Sequence, residues 1–272
     1  MVQGATTLKI ERNGPVTTFV RDRIEARNAM DPASAEALTE AFLEFDADSS
    51  QSVAVLWGAG GAFCAGFDLK YAASLLGEAR PLGELAFPED RNASNPRGPM
   101  GPTRLRLSKP VIAAIAGPAV AGGMELALWC DLRVMEETAY MGVYCRRWGV
   151  PLIDGGTVRL PRLIGRGRAL DIILTGRKVP ADECYRIGLC DRFVLHGQSR
   201  HAAEELAHEI ARFPQECVRA DRRSVWLQEG LSEEEGLRAE WECSADVVRT
   251  EGAAGAARFA SGHGRHGNFE DI

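Results

Sequence analysis

The sequence predicts an α/β fold with a helical C-terminal region, and three observations carry that prediction. Two wholly apolar strand segments, Val53–Trp57 and Val111–Ala116, each run through a turn of small residues into a helix-like segment, so one strand–turn–helix unit is used twice. From about residue 155 onward the pattern is almost entirely helical. The chain has 272 residues, 45% hydrophobic and 26% charged, which suits a single buried core and excludes disordered and membrane classes.

Taken in order, Thr7–Ile10 and Val16–Arg21 read as a hairpin turning at Asn13-Gly14. Asp31-Pro32 reads as an N-cap followed by a first-turn proline, and Leu38, Ala41, Phe42 and Phe45 then mark one face of a helix. Strand Val53–Trp57 leads through Gly58, Gly60, Gly61 and Gly66 to a helix expected from Asp68 to about Leu76. Residues 77–102 are rich in Gly, Pro and Asn and should lack regular structure; a loop this long is usually functional. Strand Val111–Ala116, a second small-residue turn and the apolar helix Gly122–Trp129 follow, then strand Asp131–Met135.

Six helices are expected after that, at Gly156–Leu163, Arg168–Leu174, Ala181–Ile187, His201–Phe213, Pro214–Gln228 and from Ser232 to Thr250 and beyond. Ala203, Leu206, Ala207 and Ile210 make one apolar stripe. These boundaries divide the chain into a core over 1–200 and a helical region over 201–272 that serves assembly or covers the site. The closing SGHGRHGNFEDI reads as a frayed tail, not a metal site.

A net charge of −6 with both signs spread along the chain argues against a nucleic-acid partner. The N-terminus lacks a basic stretch followed by an apolar core, and the apolar run at Val111–Val120 is broken by Gly117-Pro118, so a soluble cytoplasmic protein without membrane contact is expected. Seven cysteines with no C-x-x-C pair argue against a disulfide framework and a zinc site. The nucleophile-elbow, P-loop and zincin motifs are absent, and all five histidines lie in the C-terminal third. Chemistry at the two turns must therefore come from carboxylates, backbone amides or a thiol.

Both turns, Gly61–Leu69 and Ala119–Leu126, are built of mostly small residues that let a ligand approach the backbone. Amides at a helix start have no intrahelical partner and point outward along the positive end of the dipole. One such N–H from each turn would cradle a developing oxyanion, each worth roughly 3–4 kcal/mol in the transition state. Close packing of helix on strand is the simpler explanation for either turn alone. Glu125 stands among Met124, Leu126, Ala127, Leu128 and Trp129. It is either a buried carboxylate with a raised pKa, suited to moving protons, or a solvent-facing complement to the helix dipole.

The segments Ala62-Phe63-Cys64-Ala65-Gly66-Phe67-Asp68-Leu69 and Ile115-Ala116-Gly117-Pro118-Ala119-Val120-Ala121-Gly122-Gly123-Met124-Glu125-Leu126-Ala127 resemble the two signatures of the crotonase (enoyl-CoA hydratase/isomerase) superfamily. The likeness runs from Glu25–Met30 through Gly155–Pro161 and Leu174-Thr175-Gly176, nearly the whole chain. It implies a crotonase-like spiral of ββα units with a C-terminal helical region, assembled as a homotrimer or a dimer of trimers.

The same resemblance implies that the amides of Phe67 and Gly122 hold a thioester oxygen. It places Glu25, Ala26, Ala65, Asp68 and Leu69 around coenzyme A, which is part of the substrate, so no separate cofactor or metal is expected. Glu125 falls on one of the two glutamates that hydratases use to activate water; Cys145 stands near the place of the other. Asp154 lies near positions where some isomerases and other members carry an acidic catalytic residue, so it is a second candidate for moving protons, or it caps the helix beginning at Gly155. Cys145 is a pocket thiol or a buried inert one. Three readings follow: hydration/dehydration or double-bond isomerisation of an acyl-CoA, C–C cleavage or thioester hydrolysis on the same oxyanion hole, and a CoA-thioester-binding scaffold without catalysis.

Overall fold

A computed structural model describes residues 7–74, 85–90 and 97–264. Strands β1 (Leu8–Asn13) and β2 (Val16–Arg21) form the expected hairpin. β1 lies at the sheet edge with Lys9, Glu11 and Arg12 along it, the charged pattern that protects an edge strand. Helix α1 (Pro32–Ala47) starts as its sequence implies: the Asp31 carboxylate accepts from the Ser34 N–H at 2.8 Å, with Pro32 in the first turn. It buries Leu38, Ala41, Phe42 and Phe45.

Among the described residues the large sheet has six strands in the order β1-β2-β3-β4-β6-β9, with β3 at Val53–Gly58, β4 at Val111–Ile115, β6 at Leu132–Glu136 and β9 at Arg192–Val194. All neighbours after the first hairpin are parallel. β3 and β4 are covered on both faces, which is why they read as unbroken apolar runs. A second sheet of three short strands, β5 (Pro118–Val120), β7 (Tyr140–Gly142) and β8 (Val179–Pro180), stands beside it. β4 therefore feeds the large sheet and β5 the small one before helix α3 (Gly122–Trp129) begins, and β6 and β7 repeat this. Cys64 extends the small sheet through a parallel bridge to Ala119, ahead of helix α2 (Leu69–Ser74). This succession is the ββα spiral; the expected end of α2 near Leu76 lies outside the described residues.

The main core fills the space between the sheets and α1, with Phe19, Phe42, Leu56, Ile115 and Leu126 at its centre. The opposite face of the large sheet, Val16, Val55, Ile112 and Val134, is covered by Ala203 and Ala207 of helix α7 (Ser199–Ala211). So α7, which the division at 200 places in the helical region, packs directly on the sheet. Helices α4 (Gly156–Ile164), α5 (Arg166–Thr175) and α6 (Ala181–Arg186) precede it, and α8 (Gln215–Leu227) and α9 (Glu233–Val247) follow. α9 opens on a capping box between Ser232 and Glu235. The helix expected to run past Thr250 is interrupted by a π-turn at Val248–Gly252 before α10 (Ala253–Ala260). Among the described residues no helix is long and apolar enough to cross a membrane.

Candidate active site

The two small-residue turns meet. Cys64 donates its N–H to the Pro118 carbonyl and accepts from the Val120 N–H, both at 3.0 Å. Glycine is needed where α3 begins, because a Cβ on Gly123 would stand 2.2 Å from the Cys64 carbonyl oxygen. A Cβ on Gly66 would lie 3.2 Å from the Gly122 nitrogen, so the first turn faces the start of the second helix. Phe67 pairs with Met30 in a parallel bridge whose bonds run from Met30 N–H to Gly66 and from Asp68 N–H to Met30, both 2.8 Å. That ladder leaves the Phe67 N–H unused. Gly122 opens α3, so its N–H has no intrahelical acceptor. Two unclaimed amides thus stand on adjacent turns.

Ala121 fixes the direction of the second amide. Its φ of 55° with ψ of −127° is a region that side chains rarely enter, held by its N–H donating to Gly142 at 2.8 Å. A β-branched residue is least able to adopt it. Ala121→Val is therefore expected to destabilise the protein by about 2 kcal/mol, read as a lower urea midpoint; an unchanged midpoint would remove strain from the account.

Glu125 is 3% exposed, so the solvent-facing alternative is overturned. Its Oε1 accepts from the Asp154 N–H at 2.9 Å and the Gly156 N–H at 2.8 Å. Gly156 is the first residue of α4, so Glu125, reaching across from α3, fills the cap position there. A side chain on Gly156 would stand 2.9 Å from that oxygen, which is why the helix starts on glycine. Burial, then the negative charge of Asp154, push Glu125 up to about 7 against the pull of the two amides and Arg159. A carboxyl poised there can both take and return a proton near neutral pH.

Asp154 does not cap α4: its side chain turns the other way. Its Oδ1 accepts from the Met100 N–H at 3.0 Å and the Thr103 hydroxyl at 2.5 Å, which ties the loop before β4 to the floor of the site. Burial raises its pKa despite those bonds and the nearby Arg104 and Arg159. Arg159 holds both partners in register, donating to the Asp154 carbonyl at 2.9 Å and the Thr103 carbonyl at 2.7 Å. Cys145, in the 3-10 turn Tyr144–Trp148, is buried. Burial and then the Glu125 charge raise its thiol, so it is neutral and poorly nucleophilic.

The remaining residues singled out in the sequence gather on the rim beside Phe67. Ala65 donates its N–H to Arg27 at 3.1 Å, joining the first signature to the turn that holds Glu25 and Ala26. The Ala26 carbonyl accepts from Ala29, with a second lone pair free by chemistry. The Asp68 carboxylate is committed: Oδ1 caps α2 through the amides of Lys70 and Tyr71, and Oδ2 meets Arg23 at 2.7 Å. Burial raises its pKa, but the Arg23 guanidinium and those amides outweigh it and hold it low. Leu69 is 42% exposed and free to meet a ligand.

Sequence reasoning passed over Arg23 and Asn28, which shape this rim. Asn28 adopts a positive φ of 55°, donates to Ala59 and Ala62, and accepts from the Arg23 N–H. Asn inside Glu25–Met30 was the available signal, since it tolerates the left-handed region.

A cavity of about 900 Å3 is not lined by Phe67 or Gly122. It is lined by Phe87, the run Thr103–Leu107, Trp129, Asp154 and helices α4, α8 and α9. Met100 links the two regions: its sulfur stands 2.5 Å from where a Gly122 Cβ would be, and its N–H is bound to Asp154, which lines the cavity. Among the described residues no group of three His, Cys, Asp or Glu is arranged to hold a metal.

Comparison with known proteins shows the family. The model of the enoyl-CoA hydratase/isomerase family matches residues 11–261. An enoyl-CoA hydratase of Mycobacterium tuberculosis, EchA19, is 33% identical over 99% of this chain and 98% of its own length. A carnitinyl-CoA dehydratase of Salmonella arizonae is 36% identical over 85% of each chain. The crystal structure of an enoyl-CoA hydratase from Mycobacterium tuberculosis superposes with a TM-score of 0.84 at 32% identity, covering 94% of this chain and 96% of that one. With a family match over nearly its full length and the ββα spiral in place, this chain belongs to the enoyl-CoA hydratase/isomerase family of the crotonase superfamily.

Proposed function

We propose that the protein polarises the carbonyl of an acyl-CoA thioester between the N–H groups of Phe67 and Gly122 while Glu125 moves a proton at the neighbouring carbon. The observation that carries this reading is the placement of one buried carboxyl, raised to about 7, one turn into the helix whose first amide forms half of the cradle. The relatives' names, enoyl-CoA hydratase and carnitinyl-CoA dehydratase, support the thioester as substrate class. Ala26 and Ala65 offer backbone groups to the adenine end, and Glu25, Asp68 and Leu69 edge the same rim.

Two reactions use this arrangement. In isomerisation of a 3-enoyl thioester, Glu125 takes a proton from C2. The electron pair passes to the thioester oxygen, where the amides hold it, and returns as C4 receives the proton and the double bond moves to C2–C3. In hydration of a 2-enoyl thioester, water oxygen joins C3 and a proton joins C2. The neutral thiol of Cys145 beside Glu125 favours isomerisation, because placing and activating water calls for a second base. Asp154 acts as a positioning residue: its N–H orients Glu125 and its charge raises Glu125's pKa.

A panel of saturated, 2-enoyl, 3-enoyl and 3-hydroxyacyl-CoAs, separated by chromatography and followed by mass spectrometry, tests the proposal. Interconversion of 2- and 3-enoyl isomers is expected, faster than addition of water. Release of free CoA, or scission of the acyl chain, would instead support hydrolysis or C–C cleavage; an unchanged panel would support a scaffold. Assembly as a trimer or dimer of trimers goes with this reading, since Leu237, Trp241 and Val248 leave a strongly exposed apolar face on the C-terminal helices.

A further inference from the structure

The cavity lined by Asp154 is positively charged in a protein whose net charge is −6. Among the described residues seven arginines line it against four carboxylates. Three of the seven are engaged: Arg162 pairs with Glu229, Arg222 with Asp131 at 2.8 Å, and Arg219 stands 3.8 Å from Glu216. Among the described residues Arg104, Arg106, Arg159 and Arg223 form no direct ion pair, although Arg104 and Arg159 lie near the Asp154 charge. Arg104 lies over the Phe87 ring, Arg159 donates to carbonyls, and Arg223 donates to the Cys243 carbonyl. The Arg219 Nε is buried without a hydrogen-bond partner. Guanidinium groups that outnumber the carboxylates of a cleft make a site for an anion.

The rest of the wall is apolar. Leu105, Leu152, Val158 and Leu227 contribute aliphatic surface. The indole N–H groups of Trp129 and Trp226 are bound to Leu105 and Asp131, leaving their rings to face an apolar chain. A ligand that suits this wall has a hydrocarbon stem and an anionic end. Asp154 lines the cavity while its N–H holds Glu125, so a single residue joins the cavity wall to the proton-moving carboxyl. From Gly122 to Trp129, α3 rises about 10 Å, the reach of a medium-length acyl chain. Met100, unbranched and flexible, is the side chain such a chain must displace.

Resting on the acyl-CoA reading above, we infer that the arginine-lined cavity receives the far end of the acyl group and selects chains that end in a carboxylate. The substrate class is then the mono-CoA thioesters of dicarboxylic acids.

Calorimetry with octanoyl-CoA and with suberyl-CoA, its counterpart carrying a terminal carboxylate, tests the inference without needing turnover. The wild type is expected to bind suberyl-CoA at least tenfold more tightly. In the Arg106→Gln/Arg223→Gln double variant that preference should fall below threefold while octanoyl-CoA affinity is kept, which also shows that the variant is folded. Equal loss of both ligands would mean that these arginines hold the phosphates of coenzyme A, and would overturn the inference. Equal wild-type affinities, or a preference that survives in the variant, would overturn it as well. Turnover of 2- and 3-octenoyl-CoA in the same preparations reports separately on the acyl-CoA reading, which stands or falls on neutral chains.

Discussion

Glu125→Gln is expected to lower turnover at least about a hundredfold while affinity for an acyl-CoA stays within a few-fold, because the amide can still accept from Asp154 and Gly156 but cannot take a proton. Steady-state rates and ligand calorimetry on the same variant check both halves. With a pKa of about 7, the wild-type rate for proton abstraction should rise through neutrality and level off above it. The same variant should gain stability. Between the ordinary value of 4.5 and about 7 the folded protein keeps a proton that the unfolded chain has lost, so stability falls as pH rises through that window. Removing the titration is expected to return up to about 3 kcal/mol at pH 8, read from denaturant midpoints. A variant that is both active and no more stable would take Glu125 out of the mechanism.

The second large effect belongs to the Phe67 amide. Phe67→Ala keeps the N–H and loses the ring, which stacks edge-on against Tyr71 at 6.2 Å. Phe67→Pro loses both, and the Met30 bridge does not use that N–H, so its ladder bonds survive the change. The difference between the two variants isolates the donor. Turnover of the proline variant should fall a further hundredfold or more, the usual consequence of deleting one oxyanion donor. Equal rates in two folded variants would move the oxyanion elsewhere.

Local chemistry made much of this protein legible before its structure. The Asp31-Pro32 start, the buried runs of β3 and β4, and the apolar helix at Gly122–Trp129 rest on neighbours in sequence, and they stand where the pattern puts them. The three-residue strands β5 and β7 were not legible, because so short a segment shows no periodicity. The resemblance supplied the ββα spiral that periodicity missed.

What escaped entirely were pairings between distant residues. Whether Glu125 faced solvent or core depended on Gly156, thirty-one positions away, whose lack of a side chain lets the carboxylate reach the start of α4. Once Glu125 fills that cap, Asp154 is released to bind Met100 and Thr103, the opposite of what its own position beside Gly155 suggests. The charge of the cavity was hidden for the same reason: its arginines come from the 103–107 run, α4 and α8, and no window of sequence contains them together.

The central claim is that two amides from separate turns pull on one thioester carbonyl, and isotope-edited infrared spectroscopy reads that pull directly. With a saturated acyl-CoA labelled at the thioester carbon and fully bound, the carbonyl stretch is expected to move to lower wavenumber than in water and to return most of the way in Phe67→Pro. A stretch at its solution position in the saturated wild-type complex would contradict the account.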